Sequence, residues 1–336
     1  MYVTRLLLHF LCAEKSLFIF AHVKNFKEGV IMMYLLLLVG FALLVKGADM
    51  FVDGSSSIAG ILKVPSLIIG LTIVAMGTSA PEASVSITAG LAGNADISLG
   101  NVVGSNIFNV LFVVGLCAVI FPAETPKDIM KRDVWWNIAA SIGLLLLILD
   151  KKLSRLDGVI LLVAFVTYIG LMIRSALKNR VEGDSQETMS VPKSIIFAIL
   201  GLAMIILGGN LVVNNASEIA IAWGMSEALV GLTIVAIGTS LPELVTSVTA
   251  SKKGDSGISL GNAVGSDLFN IMFILGIASV LAPITVAPEL IIDTIIMIAV
   301  TVLITIFCKT STKINRVEGI IMLVGYIVYT AYIIMR

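Results

Sequence analysis

The sequence predicts an all-α polytopic membrane protein with ten transmembrane helices arranged as two inverted five-helix repeats. Three observations carry this expectation: an apolar excess, ten apolar stretches of spanning length, and a duplication at a fixed offset. Of 336 residues, 58% are hydrophobic and 13% charged, and the mean hydropathy is +1.06. A soluble domain carries about 25% charged residues, so an apolar excess this large cannot be hidden inside one globular core. Twenty-two Lys and Arg balance 22 Asp and Glu, which leaves no basic field for nucleic acid. Cys12, Cys117 and Cys308 are scattered and have no neighbouring histidines, so neither a disulfide framework nor a zinc site is indicated. His9 and His22 are the two histidines, no nucleophile–base pair is visible, and neither an enzyme nor a prosthetic group is expected.

Residues 1–32 stand apart. Arg5, Glu14, Lys15, Lys24 and Lys27 interrupt their apolar runs, and none reaches the roughly 20 residues that a spanning helix needs. A signal peptide would require a small-x-small cleavage site, which is missing before the next apolar segment. Lys27-Glu28-Gly29 can be encoded AAG-GAG-GGN, a ribosome-binding sequence shortly before Met32 and Met33. Translation is therefore expected to start at one of these methionines, with the preceding stretch a non-structural leader or a mis-assigned start.

The rest is organised by an internal repeat, which must be found before the architecture is read. Gly70-LTIVAMGTSAPE-Ala83 returns as Gly231-LTIVAIGTSLPE-Leu244, and Ile97-SLGNVVGSNIF-Asn109 returns as Ile258-SLGNAVGSDLF-Asn270, both 161 residues later. Gly40 and Gly201, Gly47 and Gly208, Ser56 and Ser217, Pro122 and Pro283, and Arg155 and Arg316 share the offset. The first repeat, 33–175, holds apolar segments at 33–54, 66–92, 97–120, 133–149 and 156–175. The second, 194–336, holds them at 194–215, 227–251, 258–281, 289–308 and 317–335. An odd number of spans per repeat makes the second repeat enter from the opposite side, inverted about an axis in the membrane plane.

Orientation follows from the Lys/Arg bias of the loops. On the side of the polar link 176–193 lie Lys63, Lys127, Lys131, Arg132, Arg174, Lys178, Arg180, Lys193, Lys252, Lys253, Lys309, Lys313 and Arg316. The opposite side has Lys151, Lys152, Arg155 and Arg336. The link is expected in the cytoplasm of a cell-membrane protein, with both ends of the ten-helix core outside. Trp135 and Trp136, at a helix start, read as interfacial residues. Asp49 and Asp53, with repeat mates Asn210 and Asn214, lie near the end of the first helix and read as interfacial or loop residues.

The chemistry is expected in the duplicated motifs. An ionisable residue deep in a span costs at least about 2.5 kcal/mol to insert and is a functional candidate by default. Glu82 and Glu243 are such a pair, each directly after a proline in mid-segment. Pro81 and Pro242 have no N–H, which frees the carbonyls of Gly77 and Gly238 and breaks the helix. Broken helices present oxygens to cations, and two carboxylates with no nearby His or Cys favour a hard ion such as Ca²⁺. Ser105 and Asn109 are four residues apart on one helical face, as are Ser266 and Asn270, and they offer neutral oxygen ligands. Gly104 and Gly265 read as helix-packing residues. Thr72 and Thr233 fit either a ligand role or a bond back to their own helix. Asp267, next to Ser266 rather than four away, is expected to point off the Ser266/Asn270 face and is left out of the site.

The paired G-T-S-x-P-E and G-N-x-x-G-S-x-x-x-N motifs resemble the α-repeats of the sodium/calcium exchanger branch of the cation/calcium antiporter superfamily, including its prokaryotic members. The resemblance covers nearly all of residues 33–336. It implies that Glu82 and Glu243, with the backbone carbonyls of Thr78 and Thr239, hold Ca²⁺ at the centre. It implies that Ser79, Ser240, Ser105, Ser266 and the carbonyls of Ala75 and Ala236 complete Na⁺ sites around it, with Asn109 and Asn270 lining the centre. The implied activity is alternating-access antiport in which Na⁺ and Ca²⁺ compete for the two glutamates. The implied fold has core helices 2, 3, 7 and 8, with helices 1 and 6 sliding across them. Potassium-dependent relatives carry Asp where Asn270 stands, so a potassium-coupled reading is less favoured. Proton/calcium antiporters are the nearer rival, because a buried carboxylate can trade a cation for a proton, and a passive cation channel is a more distant one. The lipid bilayer is the expected surrounding, and no obligatory protein partner is indicated.

Overall fold

The computed structural model describes residues 2–122, 132–178, 189–225, 236–310 and 313–335, with side chains from residue 31 onward except at 236 and 310. Helix α1 (Tyr2–Leu62) leads to a bent pair, α2 (Ser66–Thr78) and α3 (Ala80–Leu91). Helices α4 (Ala95–Ile120), α5 (Val134–Leu147) and α6 (Arg155–Lys178) complete the first half. The second half runs α7 (Val191–Ala222), α8 (Ala236–Thr239), α9 (Leu241–Lys252), α10 (Ser256–Leu281), α11 (Pro288–Thr310) and α12 (Arg316–Met335). Helical segments thus stand at the expected positions within the described residues, the 227–235 part of the seventh lying outside them. Among the described residues, seven helices are long and apolar enough to cross a membrane, or eight if α2 and α3 form one span, and α5 is shorter.

Burial sorts these helices. In α4 and α10, 72% and 78% of the apolar window is buried, against 17–39% in the other long helices. α4 and α10 therefore form the centre, and the rest expose rows of large apolar side chains such as Leu38, Val45, Leu146, Val163 and Val166. A surface so apolar requires lipid, with the backbone bonds satisfied inside each helix. The protein is a multi-pass membrane protein.

The duplication is visible in the packing. α1 runs antiparallel along α7 on a glycine seam: a Cβ at Gly40 would meet the Gly208 carbonyl at 3.0 Å, and one at Gly47 would meet that of Gly201 at 2.8 Å. Two further contacts are exchanged between the halves: Gly115 of α4 packs on Gly319 of α12, and Gly276 of α10 packs on Gly158 of α6. Adding 161 to one member and subtracting it from the other converts the first contact into the second, so the halves are related by a pseudo-two-fold axis. A Cβ at Gly265 would lie 2.8 Å from atoms of Leu71 and Ala75, which fits the packing role expected. The positions that the repeat places against Gly104, 232 and 236, lie outside the described side chains.

Local signals set the element ends. Gly93 and Gly254, repeat mates at φ +80° and +78°, end α3 and α9 in a conformation that glycine adopts without a Cβ clash. Asp255 then caps α10 through the N–H of Ile258 at 2.9 Å. Strands β1 (Lys152–Leu153) and β2 (Ile284–Thr285) pair antiparallel, joining two loops that the alternating path puts on one side. On the other side, Lys253 meets Asp49 and Asp53 at 2.5 and 2.7 Å, and Ser57 bonds Ser194 at 2.8 Å. Trp135 is half exposed at the start of α5 with the Lys309 ammonium 4.6 Å above its ring, which fits the interfacial reading. The expectations for Lys127, Lys131, Arg180, Thr233 and most of the link fall outside the described residues.

Candidate cation site

The site is built where the helices break. Ser79 leaves helical geometry at φ −81°, ψ 11°, and Pro81 opens α3 at a position that needs no N–H, so α2 and α3 meet at 49°. Ser240 and Pro242 repeat this between α8 and α9. Each glutamate therefore lies in the first turn of a half-helix in mid-chain, and Glu82 and Glu243 are 0% and 1% exposed. Their partners are serines of the opposite repeat: Ser240 Oγ donates to Glu82 Oε1 at 2.9 Å, and Ser79 Oγ donates to Glu243 Oε1 at 2.7 Å. Ser266 Oγ lies 3.4 Å from both Glu243 Oε1 and the Ala75 carbonyl. Its mate Ala236 opens α8 at the edge of the described residues.

One asparagine holds each glutamate backbone in place. Asn101 Nδ2 donates to Ser86 Oγ at 3.0 Å and to the Glu82 carbonyl at 3.4 Å. Asn262 Nδ2 does the same to Ser247 Oγ at 2.9 Å and the Glu243 carbonyl at 3.2 Å. The asparagine oxygens reach across the repeats: Thr78 Oγ1 donates to Asn262 Oδ1 at 2.9 Å, and Thr239 Oγ1 donates to Asn101 Oδ1 at 3.5 Å. The threonine hydroxyls are thus spent on the scaffold, which leaves their carbonyls as the groups available to an ion. Thr72 bonds back to the Ile68 carbonyl, one of the two roles open to it.

Asn109 opens a π-helical turn, Asn109–Val114, and Asn270 lies in its counterpart, Phe269–Ile274. A π turn widens the helix locally and is common at functional sites. Both amides use their nitrogen: Asn109 Nδ2 donates to Asp267 Oδ1 at 3.3 Å, and Asn270 Nδ2 donates to Asn106 Oδ1 at 3.0 Å. Asp267 is therefore a neighbour of the site, contrary to the expectation that set it aside. The single-helix argument failed because a side chain pointing off the Ser266 face of α10 points at α4, whose own site residues lie there.

The leftover atoms define what the arrangement can do. Glu82 Oε2, Glu243 Oε2, Asn109 Oδ1, Asn270 Oδ1 and Ser105 Oγ are buried without a hydrogen-bond partner. A buried unpaired oxygen costs about 1–3 kcal/mol, and a charged one more. Two carboxylate, two amide and one hydroxyl oxygen of this kind match the oxygen ligands that Ca²⁺ and Na⁺ take; among the described residues Ser55, Ser98, Asn137, Ser141, Ser217 and Thr246 also carry unpartnered buried atoms. Among the described residues no group of three or more His, Cys, Asp or Glu could hold a metal, so the set is two carboxylates plus neutral oxygens. The duplicated motifs contain all twelve expected ligand residues, eight expected to act through side chains and four through backbone carbonyls. Sequence reasoning missed Asn101, Asn262 and Asn106 as supports, although their presence in the duplicated motifs was a signal.

The fold and the duplicated motifs have known relatives. The profile of the sodium/calcium exchanger protein family matches residues 32–174 and 193–335, one match per repeat. The inner membrane protein YrbG of Escherichia coli is 34% identical over 88% of this chain and 95% of its own length. The sodium/calcium exchanger MaX1 of Methanosarcina acetivorans is 32% identical over 88% of this chain and 97% of its own. A solved structure of the sodium-calcium exchanger NCX_Mj, soaked with Na⁺ and Ca²⁺, superposes with a TM-score of 0.81 at 33% identity, covering 90% of this chain and 98% of that one. The chain belongs to the sodium/calcium exchanger family, a family of membrane transporters and not of enzymes.

Proposed function

We propose that the protein exchanges Na⁺ for Ca²⁺ across the cell membrane by alternating access, with the two ions competing for the site at Glu82 and Glu243. The observation that carries this reading is the pair of buried glutamates, each bonded to the other repeat's serine and each keeping one oxygen unpartnered. Thr78, Thr239, Ala75 and Ala236 supply carbonyls, and Ser79, Ser240, Ser105, Ser266, Asn109 and Asn270 supply side-chain oxygens. Without a cation, two unpaired carboxylates would have to pass through a low-dielectric interior, so the empty site resists the change of access and movement is coupled to occupancy. The architecture is ten spans in two inverted repeats, 33–175 and 194–336, with the link 176–193 cytoplasmic and the ends of the core outside.

The inequality of the two ends supports alternating access. Asp49 and Asp53 close on Lys253 at the link side. Their repeat mates Asn210 and Asn214 instead line a cleft of about 340 Å³ with Pro81, Ser84, Thr239 and Pro242. This is an outward-open state, in which the cleft leads towards the glutamate-bearing turns. Sliding of α1 and α7 across the core as one unit, joined at their glycine seam, would close the cleft and part Lys253 from α1. Exchange of more than two Na⁺ per Ca²⁺ would be electrogenic, with about 2.3 kcal/mol per net charge per 100 mV, and an inside-negative potential would then drive Ca²⁺ out.

⁴⁵Ca²⁺ flux in proteoliposomes with imposed Na⁺, K⁺ or H⁺ gradients tests the reading. Uptake driven by an outward Na⁺ gradient alone is expected. Uptake driven by a proton gradient without Na⁺ would replace it with proton/calcium exchange, a requirement for K⁺ would make it potassium-dependent, and flux without counterflow would make it a channel.

A further inference from the structure

We infer that Asp267 is the positioning residue of the site: it orients the amides of both Asn109 and Asn270 so that their oxygens are left for the cation. The inference rests on the cation-site reading above.

Asp267 is fully buried and accepts with both carboxylate oxygens, from Asn109 Nδ2 at 3.3 Å on Oδ1 and from Asn137 Nδ2 of α5 at 3.1 Å on Oδ2. Both Asp267 oxygens accept from amide NH₂ groups, so each of these amides turns its NH₂ to the carboxyl and its oxygen the other way. Asn109 Oδ1 is the oxygen left without a partner. The backbone of the same residue governs the second amide. Asn106 Nδ2 donates to the Asp267 carbonyl at 3.2 Å, which leaves Asn106 Oδ1 to accept from Asn270 Nδ2 at 3.0 Å, and Asn270 Oδ1 is again the unpartnered end. One residue thus sets the rotation of two ligands on two helices.

The repeat explains why the anchor is Asp in one half and Asn in the other. Positions 106 and 267 are repeat mates, and each accepts from the inward asparagine of the opposite repeat. Position 267 also meets the donor Asn137, whose own mate is Ile298, a residue with no hydrogen-bonding group. Two amide donors meet the two acceptors that Asp provides. One donor and a nearby carbonyl suit Asn.

The test uses the full chain in proteoliposomes, with the Ca²⁺ dependence of flux separated into KM and kcat, and Ca²⁺-induced thermal stabilisation of purified protein as the binding readout. Asp267→Val removes the acceptor and lets Asn109 turn, which should raise the KM for Ca²⁺ about tenfold with kcat at saturation nearly kept, as for loss of one hydrogen-bonded ligand contact. Asp267→Asn should stay within about threefold, because Asn137 Oδ1 has no partner and that amide can turn to accept. In an Asn109→Ala background Asp267→Val should change KM by less than about twofold, the non-additivity of residues that act through one another. Additive effects, an unchanged KM in Asp267→Val, or equal damage from Asp267→Asn would overturn the assignment. Should Asp267→Val fail to fold, Asn106→Val tests the other arm, with the same rise in KM and none further in Asn270→Ala. Wild-type protein that binds Ca²⁺ without transporting it removes the antiport reading alone, and the variants are then ranked by Kd. Wild-type protein stabilised by neither Na⁺ nor Ca²⁺ removes both.

Discussion

Glu243→Gln separates charge from packing at the centre of the site. Glutamine keeps the oxygen that accepts from Ser79 at 2.7 Å and from Ser266 at 3.4 Å, and it has nearly the same volume, so the scaffold between the repeats persists. What is lost is one of two negative charges facing a divalent ion. Removing one partner of a buried charge pair costs about 3–5 kcal/mol, which corresponds to about 140-fold to 4,000-fold in Kd. Wild-type protein at a Ca²⁺ concentration 100 times its Kd gains about 2.7 kcal/mol of stability by mass action. With Kd raised about 140-fold, the variant gains about 0.3 kcal/mol at the same concentration. The cation-free variant should be no less stable than wild type, because one of two buried unpaired carboxylates has been neutralised. Thermal unfolding in detergent with and without CaCl₂ reads both quantities. A full Ca²⁺-induced shift in Glu243→Gln would refute the reasoning, and so would a cation-free variant that unfolds early, since the first effect would then be packing.

Other outcomes follow from the same geometry. Gly201→Ala puts a Cβ 2.5 Å from the Phe51 nitrogen and 2.7 Å from the Gly47 carbonyl, so overpacking should cost about 1–3 kcal/mol and slow transport, measured by thermal unfolding and by flux. Lys253→Gln removes partly exposed ion pairs to Asp49 and Asp53, so stability should change by at most about 1 kcal/mol. On the proposed alternating-access reading, the same variant should reduce labelling of a cysteine placed at Asn214 by a membrane-impermeant maleimide, because the link side loses its closure. In otherwise wild-type protein Asn214→Cys should be labelled from outside the cell, and labelling only from inside would invert the assigned topology.

Legibility in the sequence followed the range of the interactions. The ten helical segments and the two glutamates came from local signals: apolar length, proline after Gly-Thr-Ser, and duplication. Helix ends were less distinct, since Gly93 and Gly254 act through a left-handed turn and α1 continues past the expected end at 54 to Leu62. The supports of the site lie between repeats. Ser79 meets Glu243 and Thr78 meets Asn262 only once α2, α9 and α10 are packed. Asp267 was set aside on the geometry of one helix, yet its partners Asn109 and Asn137 belong to two others. The β1–β2 pair joins residues more than 130 positions apart, and two-residue strands carry no periodicity to read.

The central claim is that one pair of glutamates serves both ions. Equilibrium binding of ⁴⁵Ca²⁺ to purified protein over a series of Na⁺ concentrations measures it directly. The account predicts that Na⁺ raises the apparent Kd for Ca²⁺ without lowering the number of sites, and that Glu82→Gln abolishes the Na⁺-sensitive component. Ca²⁺ binding that persists unchanged in saturating Na⁺ would contradict it.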